Sequence, residues 1–246
     1  PAARNLGLKH ANADFIKFLD SDDLLASDTL LKELKISKNL GEKELCFGDI
    51  LYIDQNNNII DSKSKLRSIY ADESRLTHFL KNNPLTSSPL HRKSQLIAIG
   101  GFNDLPKGQE WDLHLRLFLK GYEFHYHKNF VYSFRIHDND GRYSHLKLSA
   151  AGNLSFLHIF NTQLKQIREV YPNLNREESL LLGHRYYSYG RAILREGNKN
   201  EALPYFAKAK ELGGKRAMSG STVYKIFASV FSPILAEKIM SKIKGL

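Results

Sequence analysis

Short apolar runs separated by polar segments make up residues 1–144, and they predict helices and strands in turn. Residues 2–11 have a helical composition. The run at residues 15–19 (FIKFL) is typical of a short buried strand, and residues 44–54 form a second strand-like run. A helix followed by a short buried strand predicts an α/β layered fold with a largely parallel sheet.

Two longer segments predict helices. Residues 24–39 are amphipathic, and four leucines share the face expected to point inward: Leu24, Leu30, Leu31 and Leu34. Residues 109–122 are ambiguous, because alternate leucines fit a strand while the larger apolar side chains fit a helical face equally well. We favour a helix, because Glu110 and Asp112 near its start and Lys120 near its end complement a helix dipole.

The following segment alternates between apolar and polar side chains. Residues 122–127 and 130–137 each have the period of a half-buried strand. The polar pair Lys128-Asn129 lies between them, so the pattern predicts a β-hairpin that turns there.

Residues 145–246 predict an all-α extension. Over about residues 180–213, small and aromatic residues have the spacing of one tetratricopeptide-type helical hairpin: Gly190, Ala202, Phe206 and Ala209. A single copy cannot form a solenoid. Residues 222–245 form a basic, amphipathic tail that is broken at Pro233.

The net charge of +10 is concentrated in this helical part. Residues 1–144 contain 20 Lys or Arg and 19 Asp or Glu, whereas residues 145–246 contain 16 and 7. A basic tail beside a neutral domain predicts an anionic partner, and the alternative is a solvated basic surface. We expect an anionic membrane surface as that partner, and no nucleic acid.

The chain has a single cysteine, Cys46, which excludes an internal disulfide and a cysteine-rich zinc site. A reducing, cytoplasmic setting is therefore expected. No apolar run approaches the ~18–20 residues of a membrane span. Together with the basic tail, these features predict a cytoplasmic protein that binds peripherally to the inner face of the membrane.

Three carboxylates in four residues follow the strand-like run at residues 15–19: Asp20, Asp22 and Asp23. In an extended backbone, residues two apart share a face, so Asp20 and Asp22 would point together. Clustered carboxylates are tolerated when they are solvated, share protons or hold a hard cation. Mg²⁺ and Mn²⁺ bind such carboxylates together with phosphate oxygens. The alternative is an acidic helix start with Asp23 as its N-cap.

Further residues suit a metal-bound sugar nucleotide. Glu110 can take the proton from an attacking hydroxyl, although a charge in the first helical turn is the structural alternative. Arg135 suits phosphate geometry, and His137 can ligate a metal or contact phosphate. Gly100 and Gly101 permit close approach of the backbone to a ligand. We interpret Trp111 as a core side chain or a wall of the acceptor site.

Three separated motifs together resemble one family. They are AARNLGLKHANADFIKFLDSDD at the start of the chain, RKSQLIAIGGFN followed by WDLHLRLFLKGY, and FRIH. Over about residues 1–140 the chain is similar to GT-A fold family 2 glycosyltransferases. That resemblance implies a mixed, Rossmann-like sheet flanked by helices, and inverting transfer of a hexosyl group from a nucleotide-diphosphate sugar. The acceptor would be a hydroxyl of a glycan or lipid-linked molecule in cell-surface polysaccharide biosynthesis.

The resemblance also assigns roles to residues. It implies a divalent cofactor, Mn²⁺ or Mg²⁺, with Asp20, Asp22 and His137 as ligands. Glu110 falls at the position of the catalytic base, with Asp112 as the alternative. The resemblance implies that a further set of residues binds the diphosphate or the substrate: Arg4, Gly100, Gly101, Trp111 and Arg135. Asp20 is implied to bind there as well.

Two departures from the family pattern matter. The base is usually the Asp of a Glu-Asp pair, whereas this chain has Gln109-Glu110. The family's N-terminal strand and its base-binding segment have no counterpart. We therefore expect an N-terminally incomplete GT-A domain over residues 1–144, a helical extension over residues 145–246, and no activity from this sequence alone.

Two other classes remain as alternatives. A haloacid-dehalogenase-type phosphatase also places Asp-x-Asp after a buried strand, and Asp20 would then be its nucleophile. A non-catalytic, helical-repeat interaction protein would instead be built around the hairpin near residues 180–213.

Overall fold

The computed structural model describes residues 1–62, 66–136 and 148–244, with side chains described through Met240. The chain divides into two compact units, Pro1–His145 and Leu146–Leu246. This boundary lies one residue after the predicted one. Each unit has its own secondary structure and its own buried core.

The first unit is an α/β domain built around one six-stranded sheet. Its elements are, in chain order, α1 (Ala2–His10), β1 (Phe15–Lys17), β2 (Leu24–Leu25), α2 (Thr29–Lys38), β3 (Glu44–Ile53), β4 (Ile59–Asp61), α3 (Arg75–Lys81), β5 (Leu90–Arg92), α4 (Lys93–Ala98), α5 (Gln109–Leu119) and β6 (Glu123–Arg135). The strand order is β1-β5-β3-β6-β2, and β4 pairs with β3 outside this path.

The sheet is mixed. Strands β3 and β6 run parallel, and the other pairings among the described strands are antiparallel. The expectation of a largely parallel sheet was therefore wrong, while the mixed sheet with flanking helices is confirmed. The two long strands β3 and β6 form its centre, since β5 and β2 flank them on either side.

The predicted hairpin at Lys128-Asn129 is wrong, because residues 123–135 form one continuous strand. His127 pairs with Gly48 and Phe130 pairs with Asp49, so Lys128-Asn129 is a bulge in the ladder. Gly48 is required opposite this bulge, because a Cβ there would clash with the backbone carbonyl oxygen of Asn129 and would lie 2.6 Å from Cε1 of His127.

The helix predicted at residues 24–39 begins later and buries a different face. Residues 24–25 are strand β2, and α2 has Asp28 as its N-cap, which rules out Asp23 in that role. Leu24, Leu30 and Leu31 are exposed. The buried face is polar and consists of Thr29, Glu33 and Ser37.

The ambiguous segment at residues 109–122 is a helix, as favoured. Helix α5 begins after Gly108, whose φ of 69° is left-handed, and it is followed by Gly121 with a φ of 84°. Leu113, Leu115 and Leu117 are all fully buried. Because side chains are buried around most of this helix, its alternate leucines also fit the pattern of a strand.

The second unit is entirely helical among its described residues, as predicted. Its helices are α6 (Ala150–Val170), α7 (Arg176–Arg195), α8 (Lys199–Gly213), α9 (Thr222–Val230) and α10 (Pro233–Lys244), with a 3-10 turn at Gly214–Ala217. Helices α7 and α8 form the predicted helical pair, and Gly190 lies against the Phe206 ring, where a Cβ would be 3.0 Å from Cε1. The tetratricopeptide likeness of this pair stays a prediction.

Helices α9 and α10 form the described part of the predicted amphipathic tail. Tyr224 and Glu237 are buried, and Glu237 accepts a hydrogen bond from Arg191 of α7 at 2.9 Å. The opposite side is exposed and apolar, with Val223, Ile226, Val230, Phe231 and Leu235. Among the described residues, no helix is both long and apolar enough to cross a membrane.

Candidate active site

The acidic cluster lies in a turn rather than in an extended strand. The backbone N–H of Asp23 donates to the carbonyl of Asp20 at 3.1 Å, which closes the turn. Asp23 is buried, Asp20 is half-buried and Asp22 is exposed. The three carboxylates therefore have different surroundings, and the same-face argument for Asp20 and Asp22 does not apply to this backbone.

Arg135, at the end of β6, holds the acidic turn in place. Its backbone N–H donates to Oδ1 of Asp23 at 3.0 Å, and its Nε donates to the carbonyl of Asp22 at 2.8 Å. Its Nη1 donates to the carbonyl of Asp54 at 3.0 Å. The predicted phosphate-binding arginine thus connects the turn at residues 20–23 to the segment that follows β3.

Arg4 joins the acidic turn to the start of α5. Its Nη2 lies 2.6 Å from Oδ1 of Asp20, and its Nη1 donates to Oε1 of Gln109 at 3.2 Å. Gln109 immediately precedes Glu110, the predicted base. Three segments far apart in sequence therefore meet at one guanidinium group.

Glu110 lies in the first turn of α5 and is half-buried. The helix dipole stabilises a carboxylate at this end. The nearby Tyr132 ring is buried, and its pKa is raised by burial and also by the negative charges of Asp23, Asp20 and Glu110. The Tyr132 hydroxyl is therefore within electrostatic range of both the acidic turn and Glu110.

Asp112, the alternative base, has a different environment. It is buried, and its Oδ2 accepts hydrogen bonds from Nε of Arg116 and from Nδ2 of Asn103, both at 2.9 Å. Arg116 also donates to the carbonyls of Ile99 and Gly101. These contacts hold the loop before α5, which is a structural role.

Gly100 and Gly101, the glycines predicted to lie close to a ligand, are in this same loop before α5. Gly100 and Gly101 have φ values of 77° and 69°, in the left-handed region. A Cβ on Gly101 would lie 2.5 Å from Oδ1 of Asn5. The Asn5 side chain makes two hydrogen bonds to the backbone of Phe102, so the close approach at Gly101 is to helix α1.

Trp111 belongs to the core. Its ring is buried and lies 5.2 Å from the Phe79 ring, centroid to centroid. Of its two predicted roles, the structure supports the core side chain.

The predicted metal ligands are only partly described. Asp20 and Asp22 provide carboxylate oxygens at a solvent-accessible turn, which suits a hard cation such as Mg²⁺ or Mn²⁺. His137 lies outside the described residues. Sequence reasoning missed Gln109 and Tyr132 as members of this site, and nothing in their local pattern indicates that they lie beside the acidic turn.

The fold has a counterpart among solved structures. The fold resembles that in the crystal structure of S. aureus TarS in complex with UDP-GlcNAc, with a TM-score of 0.61 and 16% sequence identity, covering 97% of this chain and 70% of that chain. The predicted GT-A-type glycosyltransferase fold is thereby confirmed.

The sequence comparison identifies the family. The profile described as "Glycosyltransferase like family 2" matches residues 1–141, and the chain belongs to that family. An uncharacterized glycosyltransferase of Methanocaldococcus jannaschii is 26% identical over 151 residues, which are 59% of this chain and 50% of the relative. One of Haemophilus influenzae is 61% identical over 33 residues, or 13% of each chain. The chain thus spans at most about half the length of these relatives.

Proposed function

We propose that the protein catalyses inverting transfer of a hexosyl group from a nucleotide-diphosphate sugar to a hydroxyl of a glycan or lipid-linked acceptor, as a step in building a cell-surface polysaccharide. Membership of the glycosyltransferase family supports sugar transfer. The presence of UDP-GlcNAc in the TarS complex supports a nucleotide-sugar donor. The observation that carries the proposal is the double contact of Arg4, because it brings Asp20 and the start of α5 to the same place.

In this proposal Glu110 is the general base. A carboxylate in the first turn of α5 accepts the proton of the attacking hydroxyl as the new bond forms. Arg4 and Arg135 contribute positive charge beside the acidic turn, where the donor diphosphate would lie. Asp20, Asp22 and His137 would hold Mn²⁺ or Mg²⁺, and the bound cation would neutralise charge on the leaving diphosphate.

Glu110→Gln tests this assignment, and Asp112→Asn is its matched control. Glutamine keeps the size and hydrogen bonding of Glu110 but cannot accept the proton, so turnover of the native full-length protein should fall by ~10²–10⁴-fold. Donor binding, measured by calorimetry with UDP-GlcNAc as the probe, should change little. Asp112→Asn should lower thermal stability instead, because it weakens the buried pair with Arg116. Near-normal turnover of Glu110→Gln would contradict the proposal.

A peripheral position on the cytoplasmic face of a membrane completes the proposal. Helices α9 and α10 expose an apolar surface that includes Val230 and Phe231, and Lys225 and Lys238 are exposed on the same pair of helices. An exposed apolar surface edged by lysines suits binding to an anionic leaflet. This position would bring the enzyme to a lipid-linked acceptor.

The two alternatives have less support. A phosphatase that used Asp20 as its nucleophile would not account for membership of the glycosyltransferase family. A helical-repeat interaction protein would not account for the family match over residues 1–141.

A further inference from the structure

A second group of potential ligands lies inside the first unit, and none of its members belongs to the candidate active site. It consists of Glu33 on α2, Cys46 on β3 and His127 on β6. Glu33 and Cys46 are fully buried, and the His127 side chain is 12% exposed. Their ligand atoms all lie within 4.8 Å of one another. We call this group the Glu33 cluster.

Two atoms of the Glu33 cluster lack hydrogen-bond partners although they are buried. Oε2 of Glu33 accepts a hydrogen bond from Nζ of Lys17 at 2.7 Å, but its Oε1 has no partner. Nε2 of His127 has none either, and it lies 3.8 Å from that oxygen. Buried polar atoms are nearly always satisfied, so two unsatisfied atoms that face each other indicate a missing third group between them.

We propose that the Glu33 cluster binds a zinc ion through Oε1 of Glu33, Sγ of Cys46 and Nε2 of His127. Carboxylate, thiolate and imidazole are all ordinary zinc ligands. Zinc bonds of about 2.0–2.3 Å place neighbouring ligand atoms of a tetrahedral site roughly 3.3–3.7 Å apart. The 3.8 Å between Oε1 of Glu33 and Nε2 of His127 is close to that range, and the other separations are within 4.8 Å.

The ligand types separate this site from the proposed catalytic one. Thiolate and imidazole select zinc, whereas carboxylates and phosphate select Mg²⁺ or Mn²⁺. Zinc binds the thiolate, so binding would release the proton of the Cys46 thiol to solvent.

Neighbouring residues support each ligand. Lys17 occupies the other oxygen of Glu33, which leaves Oε1 directed at the cluster. The Ser37 hydroxyl lies 3.2 Å from Sγ of Cys46 and can donate to the thiolate. Asn129 contacts the other ring nitrogen of His127: its backbone N–H donates to Nδ1 at 3.4 Å, and its Nδ2 lies 3.3 Å from the same atom.

The backbone also accommodates the histidine. Gly48 faces His127 across the two central strands, and a Cβ at Gly48 would lie 2.6 Å from Cε1 of the ring. The glycine therefore leaves the space that the imidazole occupies. A zinc ion at this position would cross-link α2 to β3 and β6, the two long strands of the sheet.

Metal content of the purified chain tests the proposal. After incubation with zinc and dialysis, mass spectrometry should find one zinc ion per chain. Cys46→Ser and His127→Gln should each weaken zinc binding by more than about 100-fold, because even outer-shell changes cost ~10–100-fold. His125→Gln is the matched control, since His125 lies two residues away on β6, in the more exposed group with Glu44 and Glu123. It should retain the zinc.

Cobalt substitution provides a readout that does not depend on the variants folding. Co²⁺ bound to the wild-type chain should give the sulfur-to-metal charge-transfer band of a thiolate ligand. Absence of that band, or of retained zinc in the wild-type chain, would overturn the proposal. Equal zinc retention by Cys46→Ser, or loss of zinc from His125→Gln alone, would also overturn it.

Discussion

Asp23 accepts a hydrogen bond from the backbone N–H of Arg135 at 3.0 Å, although 112 residues separate the two in sequence. Asp23 is buried, so its removal would leave that N–H without a partner in the interior. Asp23→Ala should therefore lower the free energy of unfolding by about 1–3 kcal/mol, measured by urea denaturation.

Asp22→Ala is the control for this prediction. The Asp22 side chain is exposed, so its removal should change stability by no more than about 0.5 kcal/mol. A loss as large as that of Asp23→Ala would show that position 22 also has a structural role.

Asp22 should instead matter for the donor. Its carboxylate is the more solvent-exposed of the two predicted carboxylate ligands, because Asp22 is exposed and Asp20 is half-buried. In the native full-length protein, Asp22→Asn should abolish Mn²⁺-dependent binding of UDP-GlcNAc, measured by calorimetry. Unchanged binding would remove the proposed cation site while leaving the assignment of Glu110 open to its own test.

Stability should fall in acid partly because of Glu73. Two hydrogen bonds from the Arg67 guanidinium, at 2.6 and 2.7 Å, lower the pKa of Glu73 from 4.5 to about 2. Because the folded-state pKa is below the unfolded one, this contribution is complete above about pH 4.5 and is lost as the pH falls toward 2. Glu73→Gln should make unfolding free energy less dependent on pH in that window. Parallel curves for the two proteins would contradict the assignment.

The membrane proposal predicts the behaviour of the two terminal helices. Val230 and Phe231 are 67% and 60% exposed, so replacing both with serine should not disturb the core of the second unit. The double variant should no longer sediment with anionic liposomes, and high salt should release the wild-type chain. Leu154→Ser on α6, another exposed apolar position, is the control and should sediment like the wild type. Equal sedimentation of all three proteins would rule out a membrane role for this surface.

The local sequence pattern predicted a helix correctly where charged side chains mark the two ends of the helix. Helix α5 was assigned correctly from the charges at its ends, even though its leucines also fit a strand. The hairpin at Lys128-Asn129 failed for the opposite reason. A bulge and a turn both accept polar residues between two alternating runs, and only pairing with β3 distinguishes them.

The buried face of α2 could not be inferred from hydrophobicity. Glu33 is buried because Lys17, from a neighbouring strand, provides a charged partner at 2.7 Å. A pattern of apolar residues contains no information about such a partner. Leu24, Leu30 and Leu31 were therefore assigned to the interior incorrectly, whereas Leu34 is half-buried.

The sequence predicted several residues of the candidate site, but it did not predict which of them contact one another. The motifs indicated Asp20, Glu110 and Arg135. The contact of Arg4 with Gln109 depends on tertiary structure, since 105 residues separate them. Asp112 and Gly101 lie in the same motifs, yet their contacts hold the loop before α5.

The bulge at Lys128-Asn129 has a consequence for how this protein tolerates insertions and deletions. It lies between the start of β6 and Arg135, the residue that holds the acidic turn. Removing one residue there would shift Arg135 by roughly 3.3 Å along the strand and turn alternate side chains to the other face of the sheet. Single-residue insertions and deletions at this bulge should therefore abolish the proposed transferase activity, even though neither residue lies in the candidate active site.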